Sequence, residues 1–255
     1  MTHNPRSPTV SAAAGDFHLG WGASCMRAQH PVVGALLTVL TGAAVVAVAG
    51  AVLSHASSAP TALHATLAGE ATTSQGTLPH AFLELATYPD SEQGVHGKNG
   101  GKHPNWVTYG PTSNLTVPAH SLVTITIKQY DTGGSLNNPY FSKVYGTVGG
   151  TATLDGKPFT AIDPDKVGHT FTLHSLPTNQ DLVFISIPLP AVDDNAPAAA
   201  GSAYSAPHVV TFSFITGGKG QYVWNCEYPC GDGTYANFGG PMSKRGYMSG
   251  LLTVA

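Results

Sequence analysis

A period of two, recurring from residue 78 to the C-terminus, is the strictest constraint on what this chain can fold into. In SLVTITIK, Val123, Ile125 and Ile127 alternate with Thr124 and Thr126. One face of the segment is apolar and the other hydroxylic, which is the pattern of a half-buried strand. VVTFSFIT repeats the device with Val210, Phe212 and Phe214. AFLELATY, HTFTLH, DLVFISIP, QYVWNC and GLLTVA are further short candidates, separated by the turn clusters YDTGG, GTVGGT, LDGKP and ITGGKG. No helical period longer than two turns occurs after residue 53. Short strands at this spacing predict an all-β sandwich or barrel. Composition bears on the choice in one respect: only 10% of residues are charged, against Gly 30 and Pro 19, which suits turns and leaves little material for surface helices. Residues 191–207 (AVDDNAPAAAGSAYSAP) read as a long loop.

The other strong feature lies upstream. Val32 to Leu53 carries no charge and has two Thr as its only polar side chains. At about 1.5 Å per residue, such a helix covers the roughly 30 Å hydrocarbon core of a bilayer. A soluble helix of that length would show a polar stripe, and this one shows none. Arg6 and Arg27 precede it against Asp16 alone, whereas the first acid after it is Glu70. The positive-inside tendency predicts a cytoplasmic segment over residues 1–31, a membrane anchor over 32–53, and everything beyond outside the cytoplasm. A cleaved signal has a shorter apolar run, so an uncleaved single-pass anchor in the cell membrane is the expectation. Cleavage within SHASSAP would instead give a secreted protein. Residues 54–77 are small, polar and aperiodic and read as a flexible linker to a domain over 78–255.

The net charge of -3 offers no basic surface to a nucleic-acid backbone. Nucleophile elbow, phosphate loop, dinucleotide fingerprint and zincin motif are all missing, and the acids are scattered, so an independent enzyme is not expected. Chemistry concentrates in the last third. Cys226 ends an aromatic strand after a Gly turn, and Cys230 follows with three residues between. Upstream, GHTFTLH brings His169 on a strand, and Met248 opens the final strand. Thiolate, thioether and imidazole are the soft donor set that suits copper in both oxidation states. The two cysteines could equally be joined as a disulfide, which an oxidising compartment permits, or stand as free thiols. Trp224 and Tyr222, on the same strand face as Cys226, read as core.

From about Leu115 to Val254 the chain resembles the cupredoxin superfamily. The resemblance is carried by GHTF, by YVWNC and by the closing GYMSGLLTV, in that order. CEYPCG is also similar to the C-x3-C-G of the binuclear copper centre in cytochrome c oxidase subunit II. The resemblance implies a Greek-key β-sandwich with copper as cofactor and an electron-transfer or copper-handling role beside a redox partner protein. It implies His169 as the early imidazole ligand, Cys226 as principal thiolate, Cys230 as second thiolate and Met248 as axial thioether. The family pattern also places a second His between cysteine and methionine. Here no His follows His208, and the C-x3-C-x3-H register puts Thr234 in that place. Met242, in GGPM, offers another sulfur. The alternative is a copper-free module of the same fold, used for binding or structure, with a Cys226–Cys230 disulfide.

Overall fold

The computed structural model describes residues 62–96, 101–134, 136–231 and 239–255. The apolar run at 32–53, the segment before it and Thr234 lie outside the described residues. What is described is a pair of β-sheets. The strands in chain order are β1 (Leu63–His64), β2 (Thr66–Thr73), β3 (Gly76–Tyr88), β4 (Thr108–Gly110), β5 (Asn114–Val117), β6 (Leu122–Gln129) and β7 (Ala152–Leu154). They continue with β8 (Lys157–Phe159), β9 (Val167–His174), β10 (Phe184–Pro190), β11 (His208–Ile215), β12 (Gly220–Asn225) and β13 (Ser249–Val254). One sheet runs β1-β5-β13-β12-β9-β10, and the other β2-β3-β6-β11-β7-β8 with β4 added beside β3. Three short 3-10 turns are the only helical elements among the described residues.

The alternation read from the sequence sets which side chains meet. On β6, Val123, Ile125 and Ile127 are fully buried, and they register against Phe214, Phe212 and Val210 of β11. The opposite faces of the same strands pair hydroxyls, Thr124 with Ser213 at 2.8 Å and Thr126 with Thr211 at 3.0 Å. In the facing sheet, β9 contributes Phe171 and Leu173, β12 Tyr222 and Trp224, and β13 Leu252 and Val254. Trp224 sits at the centre, registered against Leu173 on one side and Gly250 on the other. Its ring lies 4.9 Å from that of Phe171 and 4.7 Å from that of Tyr109, and its Nε1 donates to Ser113 O at 2.9 Å. Gly250 is required there, because a Cβ would stand 1.7 Å from Ser113 O.

The linker expected over residues 54–77 is corrected by the structure: β1, β2 and the start of β3 fall within it. Strand β2 pairs antiparallel with β3 from Thr66↔Phe82 to Thr73↔Gly76. It is an edge strand with most of its residues exposed, so it shows no alternation to read. Its backbone ladder and the pairing surface of β3 hold it, a tertiary effect that outweighs the weak propensity of TLAGEATT. Residues 191–207 contain no strand or helix, as their composition predicts.

Candidate metal centre

Four strands end or begin at one rim of the sandwich, and their termini carry the donors. His169 is the third residue of β9, Cys226 follows β12, Met248 precedes β13, and Asp131 lies just past β6. The donor atoms of His169, Cys226 and Cys230 all lie within 4.8 Å of one another, and all three residues are buried. Among the described residues this is the one such grouping of three or more His, Cys, Asp or Glu donors. Neither Cys226 nor Cys230 is in a disulfide.

Backbone pairing fixes the cluster. Cys226 N–H donates to Met248 O at 2.9 Å, which places the fully buried Met248 across the strand pair from Cys226. Thr170 N–H points at Cys226 Sγ from 3.4 Å, and Thr170 Oγ1 accepts from Glu227 N–H at 2.8 Å. Such N–H donors to a thiolate sulfur tune the electronics of a bound metal. Met242 enters differently: its Sδ accepts the Cys230 N–H at 3.4 Å. The Met242 sulfur thus lies beside Cys230, while the backbone places Met248 beside Cys226.

His169 is gripped at both ring nitrogens. Nδ1 is 3.7 Å from Cys226 Sγ, and Nε2 is 2.6 Å from Asp131 Oδ2. Burial works against a charged imidazole, yet the hydrogen bonds to Asp131 and Cys226 outweigh it and raise His169 to about 9. Burial likewise works against a Cys226 thiolate, but hydrogen bonds from Cys230, His169 and Thr170 N–H bring it well below the usual thiol range. Cys230 moves the other way, because it hydrogen-bonds to the Cys226 sulfur and is itself buried. These contacts favour the thiolate at Cys226 and the protonated ring at His169, and they keep the proton on Cys230.

Asp131 was legible in the sequence only as part of the YDTGG turn. Gly133 N–H donates to its Oδ2 at 2.9 Å. Gly133 has φ +72, and a Cβ there would come within 2.2 Å of Gly168 Cα, one residue before His169. Gly133→Ala is expected to push this turn off β9 and destabilise the protein by more than about 1 kcal/mol. Chemical denaturation checks this, and an unchanged midpoint would show that the turn is not clamped.

The described residues thus form a two-sheet, all-β protein with a buried cysteine–histidine cluster at one rim. No protein family matches the chain, and no curated protein matches it. Among solved structures, auracyanin B aligns at 14% identity with a TM-score of 0.31, covering 73% of this chain and 96% of that one. Auracyanin A, a "blue" copper protein from the green thermophilic photosynthetic bacterium Chloroflexus aurantiacus, aligns at 14% identity and 0.31, covering 69% and 99%. A multicopper oxidase aligns at 10% identity and 0.26, covering 69% of this chain and 44% of its own.

Proposed function

We propose that this chain is a membrane-anchored, extracytoplasmic copper-binding protein of cupredoxin-like architecture, serving electron transfer or copper handling. One observation carries the reading: His169, Cys226 and Cys230 converge in a buried site with their donor atoms within 4.8 Å. The residues fit copper chemically. Two thiolates and an imidazole are soft-to-borderline donors, and thioether sulfur lies close by at Met242. His169 Nδ1, Cys226 Sγ and Cys230 Sγ would hold the ion, with Met248 and Met242 supplying weaker sulfur. Copper, when bound, supplies one-electron redox chemistry. The protein's own part is to keep water out and to hold the donors on rigid strand ends, so that little rearrangement accompanies a change of charge. Uptake requires Cys230 and His169 Nδ1 to give up their protons.

A single histidine in the cluster separates this site from the two-histidine pattern that the resemblance implies. The donor set therefore leans toward thiolate-dominated binding, which favours copper(I). The anchor belongs to the same proposal. With β1 starting at Leu63, only residues 54–62 separate the apolar run from the first strand. Membrane fractionation tests the anchor.

The direct test of the site is metal analysis and absorption spectroscopy of the purified full-length protein, reduced and then loaded with copper. Uptake of copper with thiolate-to-metal absorption is expected. A protein that takes up no copper would overturn the reading. The copper-free alternative, with Cys226 bonded to Cys230, is favoured by the closeness of the two sulfurs. It predicts a gain of two hydrogens in mass on reduction and no protection of the thiols by copper.

A further inference from the structure

We propose that Asp131 is a positioning and selectivity residue of the centre. It fixes which nitrogen of His169 faces the cysteines, and its charge biases the site toward a divalent over a monovalent ion. This rests on the copper-site reading above.

The orientation follows from what a carboxylate can do. An ionised carboxylate only accepts hydrogen bonds. The 2.6 Å contact between Asp131 Oδ2 and His169 Nε2 therefore keeps a proton on Nε2 whether the ring is charged or neutral, so Nδ1 is the nitrogen that loses its proton to a metal. Nδ1 is left as the nitrogen for the cysteine side, 3.7 Å from Cys226 Sγ. An imidazole held this way cannot turn over without breaking a charge-assisted bond. Carboxylates behind metal-bound histidines act in this manner, raising ligand basicity as well as fixing the tautomer.

Asp131 is itself held from several sides. Its Oδ2 also accepts Gly133 N–H at 2.9 Å, and its backbone O accepts Gln129 Nε2 at 2.9 Å and Val192 N–H at 3.1 Å. The turn after it has no room to shift, since a Cβ at Gly133 would meet Gly168 and one at Gly134 would stand 2.1 Å from Pro229 O. Gly168 precedes His169, and Pro229 precedes Cys230. The same turn thus braces the chain on both sides of the donor cluster.

The charge argument is separate. Cys226, Cys230 and Asp131 would each bring a negative charge, while His169 bound through Nδ1 is neutral. Asp131's side chain is 13% exposed and that of His169 is 0% exposed, so water screens the carboxylate poorly on the inner side. A divalent ion offsets one more of those charges than a monovalent ion does. Removing the Asp131 charge should therefore cost affinity for a 2+ ion more than for copper(I).

The test compares the wild type with Asp131→Asn and Asp131→Ala, all as full-length protein. Copper(I) and zinc(II) affinities are measured by competition, the copper midpoint potential by redox titration, and the His169 ring by nitrogen-15 NMR of the metal-free form. Asp131→Asn keeps an oxygen for Nε2–H and loses the charge. It should weaken zinc(II) by about 10-fold and leave copper(I) within a few-fold. The potential should rise, by about 59 mV for each tenfold that copper(II) binding weakens relative to copper(I). Asp131→Ala should weaken both ions by about 10–100-fold and change the His169 ring signals before any metal is added. Unchanged affinities, potential and ring signals in Asp131→Ala would overturn the proposal. If that variant does not fold, an Asp131→Asn protein with wild-type ion preference and potential overturns the selectivity claim. Wild-type protein that takes up neither ion defeats the copper reading instead, and the metal-free NMR then decides the orientation claim alone.

Discussion

Cys226→Ser is expected to weaken copper binding on the order of 100-fold or more while leaving the protein folded. Cys226 is engaged from several sides: Thr170 N–H, His169 Nδ1 and the Cys230 thiol all address its sulfur. Those contacts favour the thiolate, which is the form that binds metal. A serine hydroxyl keeps roughly the same shape but stays protonated and is a hard donor that suits copper(I) poorly. Changes to groups behind the ligands cost about 10–100-fold, so loss of this ligand should cost on the order of 100-fold or more. Competition with a copper(I) chelator measures it. The variant should keep a denaturation midpoint near that of the wild type. Copper affinity unchanged in Cys226→Ser would remove the site from this place in the fold.

Trp224→Ala is expected to give the largest loss of stability. The indole is fully buried at the centre of the core, ring-packed on Phe171 and Tyr109. Truncating a buried aromatic to alanine costs about 3–5 kcal/mol, because the lost contacts leave a cavity that relaxes only in part. The change also orphans Ser113 O, which loses its 2.9 Å bond from Nε1. A buried acceptor left unpaired adds about 1–3 kcal/mol. In a domain of this size the sum should lower the melting temperature on the order of 10 °C. Trp224→Phe should lose less, since it keeps most of the packing and gives up only the hydrogen bond. Denaturant unfolding of both variants checks the order. A Trp224→Ala loss below about 1 kcal/mol would show that the two sheets do not close on this residue.

Trp224 lies on β12 two residues before Cys226, which directly follows that strand, so core and centre share a scaffold. The register Trp224↔Gly250 and the bond from Cys226 N–H to Met248 O are successive steps of one strand pairing. Disturbing the first should loosen the second. Trp224→Ala protein that still folds is accordingly expected to bind copper less tightly than wild type.

Strands with one buried and one hydroxylic face were legible because burial imposes period two directly on the residues. That holds for β6, β11, β12 and β13, whose inward residues are the ones the alternation picks out. It fails for β2, which exposes most of both faces and so carries no such record. It also says little about β9, where seven of eight residues are buried and Thr170, Thr172 and Ser186 share hydroxyl bonds beneath the surface. For the candidate centre, the order His169, Cys226, Cys230 was readable from residue type and strand position. Asp131 was not: it lies 38 residues before His169 in a turn whose glycines explain themselves locally.

By itself the sequence determined the alternating strands, the apolar run upstream of them and the set of sulfur and imidazole donors in the last third. Each is written in residue types along a single segment, and strand periodicity and donor softness are local properties. Tertiary structure alone decided that β2 belongs to a sheet, that Met242 lies beside Cys230, and that Asp131 stands behind His169. These depend on which segments the sandwich brings face to face. Contacts between residues far apart in the chain are fixed by backbone pairing and by close glycine approaches, and neither leaves a pattern within the segments that take part.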